Sequence, residues 1–264
     1  MFKIIIKHPK GMIILNIKGS IHRKEKNNRM KILFCIALFP IALISYAQDN
    51  QLAKKEKKAG WILLFDGKSL DGWRVAGDSV MYPDAGWSVE DNCLKVEWRE
   101  GNRNRNIITQ SEFADFEFSI EWKLAPAANS GIIYHWGDEF TEAPLCIGPE
   151  YQIIDDLGWP APLSEDHFTG VDYEMHVELK NKKLNPVGEF NVSKIIFHKG
   201  HVEHWLNGKK IVEFDTWTPD WYARLGKSKW ATSSCYGENK SGAFLLQNYR
   251  NCKLWFKNIK VRPL

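Results

Sequence analysis

In the stretch "PEYQIID" a carboxylate and an amide stand two residues apart, and strand alternation puts Glu150 and Gln152 on one face with Tyr151, Ile153 and Asp155 on the other. That pairing suits a site directed at a polyhydroxylated ligand: the carboxylate takes a proton or holds a cation, and the amide orients a hydroxyl. The stretch "NSGIIYHW" puts Asn129, Gly131, Ile133 and His135 in phase, so the imidazole is placed to reach the same face. An imidazole of pKa ~6.5 exchanges protons at neutral pH. The ordinary alternatives are a solvated sheet face for Glu150 and Gln152 and a satisfied structural histidine for His135.

A third candidate lies in "HVEHWLNGKKIVEFD", where Asn207-Gly208 marks a hairpin because both residues tolerate the positive φ of a type I′ turn. Its register decides the role of His204. In one phase His204 lines a cleft and Trp205 anchors the hairpin; in the other Trp205 stacks and His204 is structural. Glu121 faces away from the core side of its strand and is a further carboxylate candidate. Glu189 and Asn191 in "GEFN" sit at a loop-to-strand entry, where site residues are often presented, and Gln247 and Tyr249 share a strand phase near the end.

The elements that must position these groups are strands. "GWSVEDNCLKVEW" reads as a hairpin about Asp91-Asn92, and in "DFEFSIEWKL" Phe116, Phe118, Ile120 and Trp122 form a core face. Short apolar runs separated by Gly, Asn and Asp turns continue to the end of the chain. One helix is expected, in "TPDWYARLGKSKW" from Thr218-Pro219. Many strands with no strand–helix alternation predict an all-β protein, an antiparallel β-sandwich. All twelve Trp lie after residue 47. Sugar rings stack their C–H faces on aromatics, so a sheet face carrying Trp, Asn, Gln and carboxylates suits carbohydrate, although Trp is also an ordinary core residue.

The formal charge of +4 is misleading about partners. Residues 1–47 carry nine Lys or Arg against Glu25 alone, which leaves the remainder net acidic and gives no electrostatic reason to expect nucleic acid. From Met30, Lys31 precedes an apolar run from Ile32 to Ile44 and small residues at Ser45 and Ala47, the order of a secretory signal peptide. The organisation expected is an upstream extension from a misassigned start over 1–29, a signal peptide over 30–47, a polar leader over 48–59 and one domain over 60–264. Export then places the protein in the periplasm or outside the cell, with no stable membrane span after signal removal. Beyond Cys35 the chain holds Cys93, Cys146, Cys235 and Cys252, an even number that permits disulfides without defining their pairing.

Several blocks in order resemble one family: "GWILLFDGKSLDGW", "DFEFSIEWKLAPAANSGIIYHW", "PEYQIIDD", "GEFNVSKIIFHKGHVEHWLNGKKIVEFD", "SKW" and "LLQNYRNCKLWFKNIKVRPL". Together they are similar to the 3-keto-disaccharide hydrolases, exported bacterial proteins with a concanavalin A-like jelly roll. The resemblance implies a carbohydrate substrate, a glycoside already oxidised at C3. A C3 ketone acidifies the C2 hydrogen, so a base removes it, the C1 substituent leaves, and water is added later. This chemistry needs a base and a stabiliser of the enolate, either hydrogen-bond donors or a divalent cation such as calcium. The resemblance assigns no cofactor and no metal ligands.

The chain departs from the family pattern in two places. Gln247 is followed by Asn248, Tyr249 and Arg250 where members commonly read Asp-His-Gly, and His135 stands where many carry Arg. A carbohydrate-binding module without catalysis is therefore the rival reading. An ordinary sandwich-fold glycoside hydrolase lacks its Glu-x-Asp-x-x-Glu run here. The expected site is Glu150, His135 and His204 as catalytic groups, with Gln152, Asn129, Glu121, Glu189, Asn191, Gln247 and Tyr249 binding substrate. Mass spectrometry of the exported protein should give an N-terminus at Gln48; a retained apolar segment contradicts the signal assignment.

Overall fold

The computed structural model describes residues 2–8, 11–17, 48–78, 86–98, 105–178 and 180–264. The expected signal segment lies outside the described residues. Within the N-terminal stretch, β1 (Phe2–His8) and β2 (Gly11–Ile17) form an antiparallel pair with Phe2 opposite Ile17. That pair belongs to a separate unit from the rest of the chain.

The main unit contains β3 (Ile62–Leu63), β4 (Trp73–Val75), β5 (Trp87–Glu90), β6 (Cys93–Glu97), β7 (Ile107–Thr109), β8 (Phe116–Leu124) and β9 (Asn129–Trp136). It continues through β10 (Glu150–Ile154), β11 (Asn191–His198), β12 (His201–Leu206), β13 (Lys209–Asp215), β14 (Ala243–Leu246) and β15 (Lys253–Pro263). Two short helices, α1 (Lys54–Lys58) and α2 (Pro219–Leu225), complete it. One sheet has the order β10-β9-β14-β7-β4 and the other β13-β12-β11-β8-β15-β6-β5, with β3 on β15. The expected all-β antiparallel sandwich, a jelly roll, is the fold observed. No described helix is long and apolar enough to cross a membrane.

Alternation explains the core. Phe116, Phe118, Ile120 and Trp122 of β8 are fully buried against Ile132, Tyr134, Tyr151 and Ile153 of the other sheet. Each such side chain contributes roughly 1.5–3 kcal/mol through its removal from water. The Trp122 indole N–H is satisfied inside by Ser193 Oγ at 2.8 Å. The two hairpin turns adopt the backbone their sequences require: φ is 51° and 59° at Asp91 and Asn92, and 47° and 78° at Asn207 and Gly208. Thr218 caps α2 by accepting from Trp221 N at 3.2 Å.

The stretch before residue 60 is more than a polar leader. Asn50 is 3% exposed and exchanges backbone-to-side-chain hydrogen bonds with Asn258, at 2.6 and 2.8 Å. In α1, Glu56 pairs with Lys260 of β15.

Register settles His204. Val202, His204 and Leu206 face the core, and Trp205 faces outward with its indole N–H on Glu203 at 2.7 Å. His204 is fully buried between the sheets. Its Nδ1–H donates to the Gly170 carbonyl at 3.0 Å, leaving Nε2 to accept from the Tyr134 hydroxyl at 3.2 Å. Expected as a catalytic candidate, His204 is instead a neutral core histidine.

Burial lowers its pKa to about 3. Because an unfolded histidine titrates near ~6.5, the unfolded state gains the proton first, and folding loses stability as pH falls below that value. Wild type should therefore lose about 2 kcal/mol more than His204→Phe between pH 7 and pH 5. Urea unfolding at the two pH values measures this; parallel losses would mean the imidazole is not held neutral.

Candidate active site

Paired residues in an antiparallel sheet share a face, so the register of the five-stranded sheet defines what its outer face presents. Glu150 stands opposite Ile133, Ile133 opposite Leu245, Leu245 opposite Ile108, and Ile108 opposite Arg74. One row thus crosses the sheet with a carboxyl at one end and a guanidinium at the other. In the next row Gln152 lies opposite Gly131, whose carbonyl accepts from Gln247 N at 3.0 Å. Beyond it Ile154 lies opposite Asn129. Ile108, Ile133, Ala243 and Leu245 form a second apolar cluster under Trp136 and Ile147, so this face is covered rather than open to bulk water.

Gly131 makes room for the acid. Any Cβ there would overlap the Glu150 carboxylate, so the glycine serves close approach rather than an unusual backbone angle. Glu150 is 7% exposed, and among the described residues its carboxyl has no hydrogen-bond partner. Burial pushes its pKa up to about 7; Asp172 and Glu174 add to the rise, and the Lys229 ammonium opposes it.

The segment after Gly170 extends the sheet past β10. Gly170 N donates to Gln152 O at 2.8 Å and Tyr173 N to Glu150 O at 3.0 Å. The next residue, Glu174, has φ 60°, a strained value for a non-glycine residue. Its carboxylate accepts the Lys229 backbone N–H at 2.8 Å and meets His167 Nε2 at 3.3 Å. His167 stacks on the Tyr173 ring at 4.7 Å. Asp172 turns the other way, into the core, where His176 Nδ1 donates to it at 2.7 Å. The Cys146–Cys235 disulfide ties the loop entering β10 to the chain that follows Lys229 and Trp230. Cys93 and Cys252 are free and buried.

Four of the expected residues therefore share this face: Glu150, Gln152, Asn129 and Gln247. Tyr249 lies past the end of β14, 40% exposed, with its ring 5.8 Å from that of Trp159. His135 does not join them. A bulge opposite β14 adds a residue to β9, His135 takes φ 56°, and the imidazole turns inward. There it packs 4.3 Å from the Phe197 ring and donates from Nε2 to Ala114 O at 2.8 Å. Glu121 lies on the outer face of the opposite sheet, bonded to Asn258 Nδ2 at 2.9 Å. Asn191 is a scaffold residue that accepts from Asn185 N and Asn207 Nδ2, both at 2.8 Å. It and the exposed Glu189 line an apolar cleft with Trp122, Leu124 and Val187 at the edge of the sandwich.

Sequence reasoning missed Arg74, Tyr173, Glu174, His167 and Lys229. Only Lys229 carried a signal, as the centre of "SKW". Among the described residues, one set of His and carboxylate atoms is close enough to converge on an ion: His201, Glu203 and Glu213, all within 4.8 Å. It lies on the β12–β13 hairpin, and Lys210 already pairs with both glutamates.

A family model described as the 3-keto-alpha-glucoside-1,2-lyase-like domain matches residues 60–262. The chain belongs to this family. It is 30% identical over 273 residues to a 3-keto-disaccharide hydrolase of Bacteroides thetaiotaomicron, covering 93% of this chain and 91% of the relative. A crystal structure from Parabacteroides distasonis, provisionally named a glycosyl hydrolase, superposes with a TM-score of 0.73 at 34% identity over 82% of this chain and all of its own. A second structure from that organism, with the same provisional name, reaches 0.57 at 24% identity over 77% of this chain and 99% of its own, which speaks to the fold alone. Membership of the 3-keto-alpha-glucoside-1,2-lyase-like family makes the chain a carbohydrate-active protein.

A buried glutamate with a pKa raised above its unfolded value stabilises the fold below the unfolded pKa and loses that stability as pH rises through about 7. Glu150→Gln should therefore be more stable than wild type at pH 8 by on the order of 3 kcal/mol, with the two converging near pH 4. Denaturant unfolding across this range checks it. A variant of unchanged or lower stability at pH 8 would show that the carboxylate is satisfied.

Proposed function

We propose that the chain is an exported enzyme that cleaves 3-keto-glycosides, with Glu150 as the base that removes the C2 proton. The observation that carries this reading is a carboxyl held near neutrality, unpartnered, on a sheet face with three amides in a family of this chemistry. A base is most effective when its pKa lies near the working pH, and about 7 meets that condition. The Asn129 Oδ1 atom is buried without a partner, as expected of an acceptor reserved for a hydroxyl. Gln152 and Gln247 supply further amides for orienting the ring.

The nearby carboxyls are otherwise engaged. Asp138 binds Arg74 at 2.8 Å, Asp172 binds His176, and Glu174 accepts the Lys229 N–H. Ordinary glycoside hydrolysis needs two available carboxyl groups flanking the glycosidic oxygen. One free base and a ketone-acidified C–H suffice for elimination: the C2 proton passes to Glu150, the C1–O bond breaks, and water adds across the resulting double bond. Export is supported by the charged, apolar and small-residue order from Met30 to Ala47.

Incubation of the purified protein with 3-keto-glucosides and their unoxidised parents tests the reading. Cleavage confined to the keto sugars is expected, with kcat rising through about pH 7 as Glu150 ionises. Glu150→Gln should lower kcat by ~10²-fold or more. Cleavage of the unoxidised glycosides, or binding of keto sugars without turnover, contradicts it; the second result identifies a carbohydrate-binding module.

A further inference from the structure

Polarity is divided along the outer face of the smaller sheet, with Glu150 at the boundary. On one side lie the amides: Gln152 opposite Gly131, Gln247 bonded to the Gly131 carbonyl at 3.0 Å, and Asn129 opposite Ile154. On the other side the residues are apolar. There the pair Leu245 and Ile133 gives way, at the next same-face position of β14, to Ala243 opposite Trp136. Same-face positions lie about 7 Å apart along a strand, so Trp136 stands one short step beyond the row that ends in Glu150. Ile147, just upstream of Glu150 in the chain, packs over the same apolar cluster as Trp136.

Trp136 and Ile147 also line a cavity of about 480 Å³. Leu145, the Cys146–Cys235 disulfide and residues 232–234 complete its wall, and among the described residues no charged side chain lines it. Leu145 is 70% exposed. Large apolar side chains kept in the open around a concavity mark a binding surface when the backbone holds them there. Here it does. Asn239, 5% exposed, donates from Nδ2 to the Pro144 carbonyl at 2.8 Å and to His135 O at 3.3 Å. Gly137 N donates to Cys146 O at 3.1 Å, and Gly237 N to Ile147 O at 2.9 Å. A Cβ on Gly137 would overlap the Pro144 carbonyl, so the two segments of this wall pack backbone to backbone.

A 3-keto-glycoside has the same division. Its sugar ring carries hydroxyls that need donors and acceptors, whereas its C1 substituent need carry none. We propose that the cavity between Trp136 and Leu145 is the subsite for the C1 substituent and that it takes an aromatic or other apolar aglycone, with the keto sugar over Gln152, Asn129 and Gln247. The inference rests on Glu150 acting as the C2 base. In this orientation C1 and its oxygen point to the Trp136 side, and C2 stays at the boundary where the carboxyl stands. A second sugar in the cavity would bring its hydroxyls against Trp136, Leu145 and Ile147, with only residues 232–234 to replace the water it loses. The cavity therefore selects for an apolar ring.

The test compares kcat/KM for three substrates: benzyl 3-keto-α-glucoside, methyl 3-keto-α-glucoside and the keto-disaccharide whose C1 substituent is glucose. Benzyl and methyl glycosides release alcohols of similar acidity, so their ratio reports contacts to the phenyl ring rather than departure of the oxygen. Wild type should favour the benzyl over the methyl glycoside by about tenfold or more, and over the disaccharide by a similar factor. Leu145→Asp should cut the benzyl-to-methyl ratio by about fivefold or more, and Leu145→Phe should keep it; the side chain is exposed, so neither replacement disturbs the core. A merely structural residue would lower all three values alike. A benzyl-to-methyl ratio near one in wild type, a preference for the disaccharide, or a ratio unchanged in Leu145→Asp would overturn the subsite, while turnover of the methyl glycoside would leave the Glu150 reading standing. Should none of the three be cleaved, the Glu150 reading fails and the subsite with it.

Discussion

The site depends on one costly arrangement: a glutamate carboxyl largely withdrawn from water and, among the described residues, given no hydrogen-bond partner. Everything around it keeps that arrangement in place. Gly131 leaves the space that the carboxylate occupies, and the 170–173 segment covers the edge of β10 so that the strand carrying Glu150 is paired on both sides. The disulfide ties the chain before Glu150 to the chain after Lys229.

The two sheets divide the work. Their facing sides hold the aromatic core, with Trp122, Tyr134, Tyr151 and His204 satisfied by internal hydrogen bonds. The larger sheet turns its outer face to water and covers it with ion pairs and with lysines over rings, such as Lys123 above Trp255 at 4.4 Å. The smaller sheet turns its outer face toward covering loops, and on it Asn129 Oδ1 is buried without a partner beside the strand that carries Glu150. Most of the packing that holds the fold together lies between the sheets.

Local pattern was enough for most of the fold. Alternation gave the core face of β8, Asn207-Gly208 and Asp91-Asn92 gave both hairpins, and Thr218-Pro219 gave the start of α2. It also put Glu150 with Gln152 and Asn129 correctly, because β9 and β10 keep strict period two where these residues lie. The same rule failed at His135, since one bulge residue reverses the phase and no residue in "GIIYHW" announces it. Glu121 failed for another reason: facing away from the core is not the same as facing the site when there are two outer faces. Arg74, Tyr173 and Lys229 come from segments far apart in the chain, and only pairing across the sheet and loop contacts bring them to the Glu150 face.

The protonation of Glu150 is the central claim, and it can be measured without substrate. Infrared difference spectra of the protein titrated from pH 4 to 9, with Glu150→Gln as the blank, isolate the carboxyl stretch of this one residue. The account expects a protonated carboxyl band that disappears with a midpoint at about pH 7. A midpoint at the ordinary glutamate value of about 4.3 would mean that the carboxyl is solvated or paired, and would contradict it.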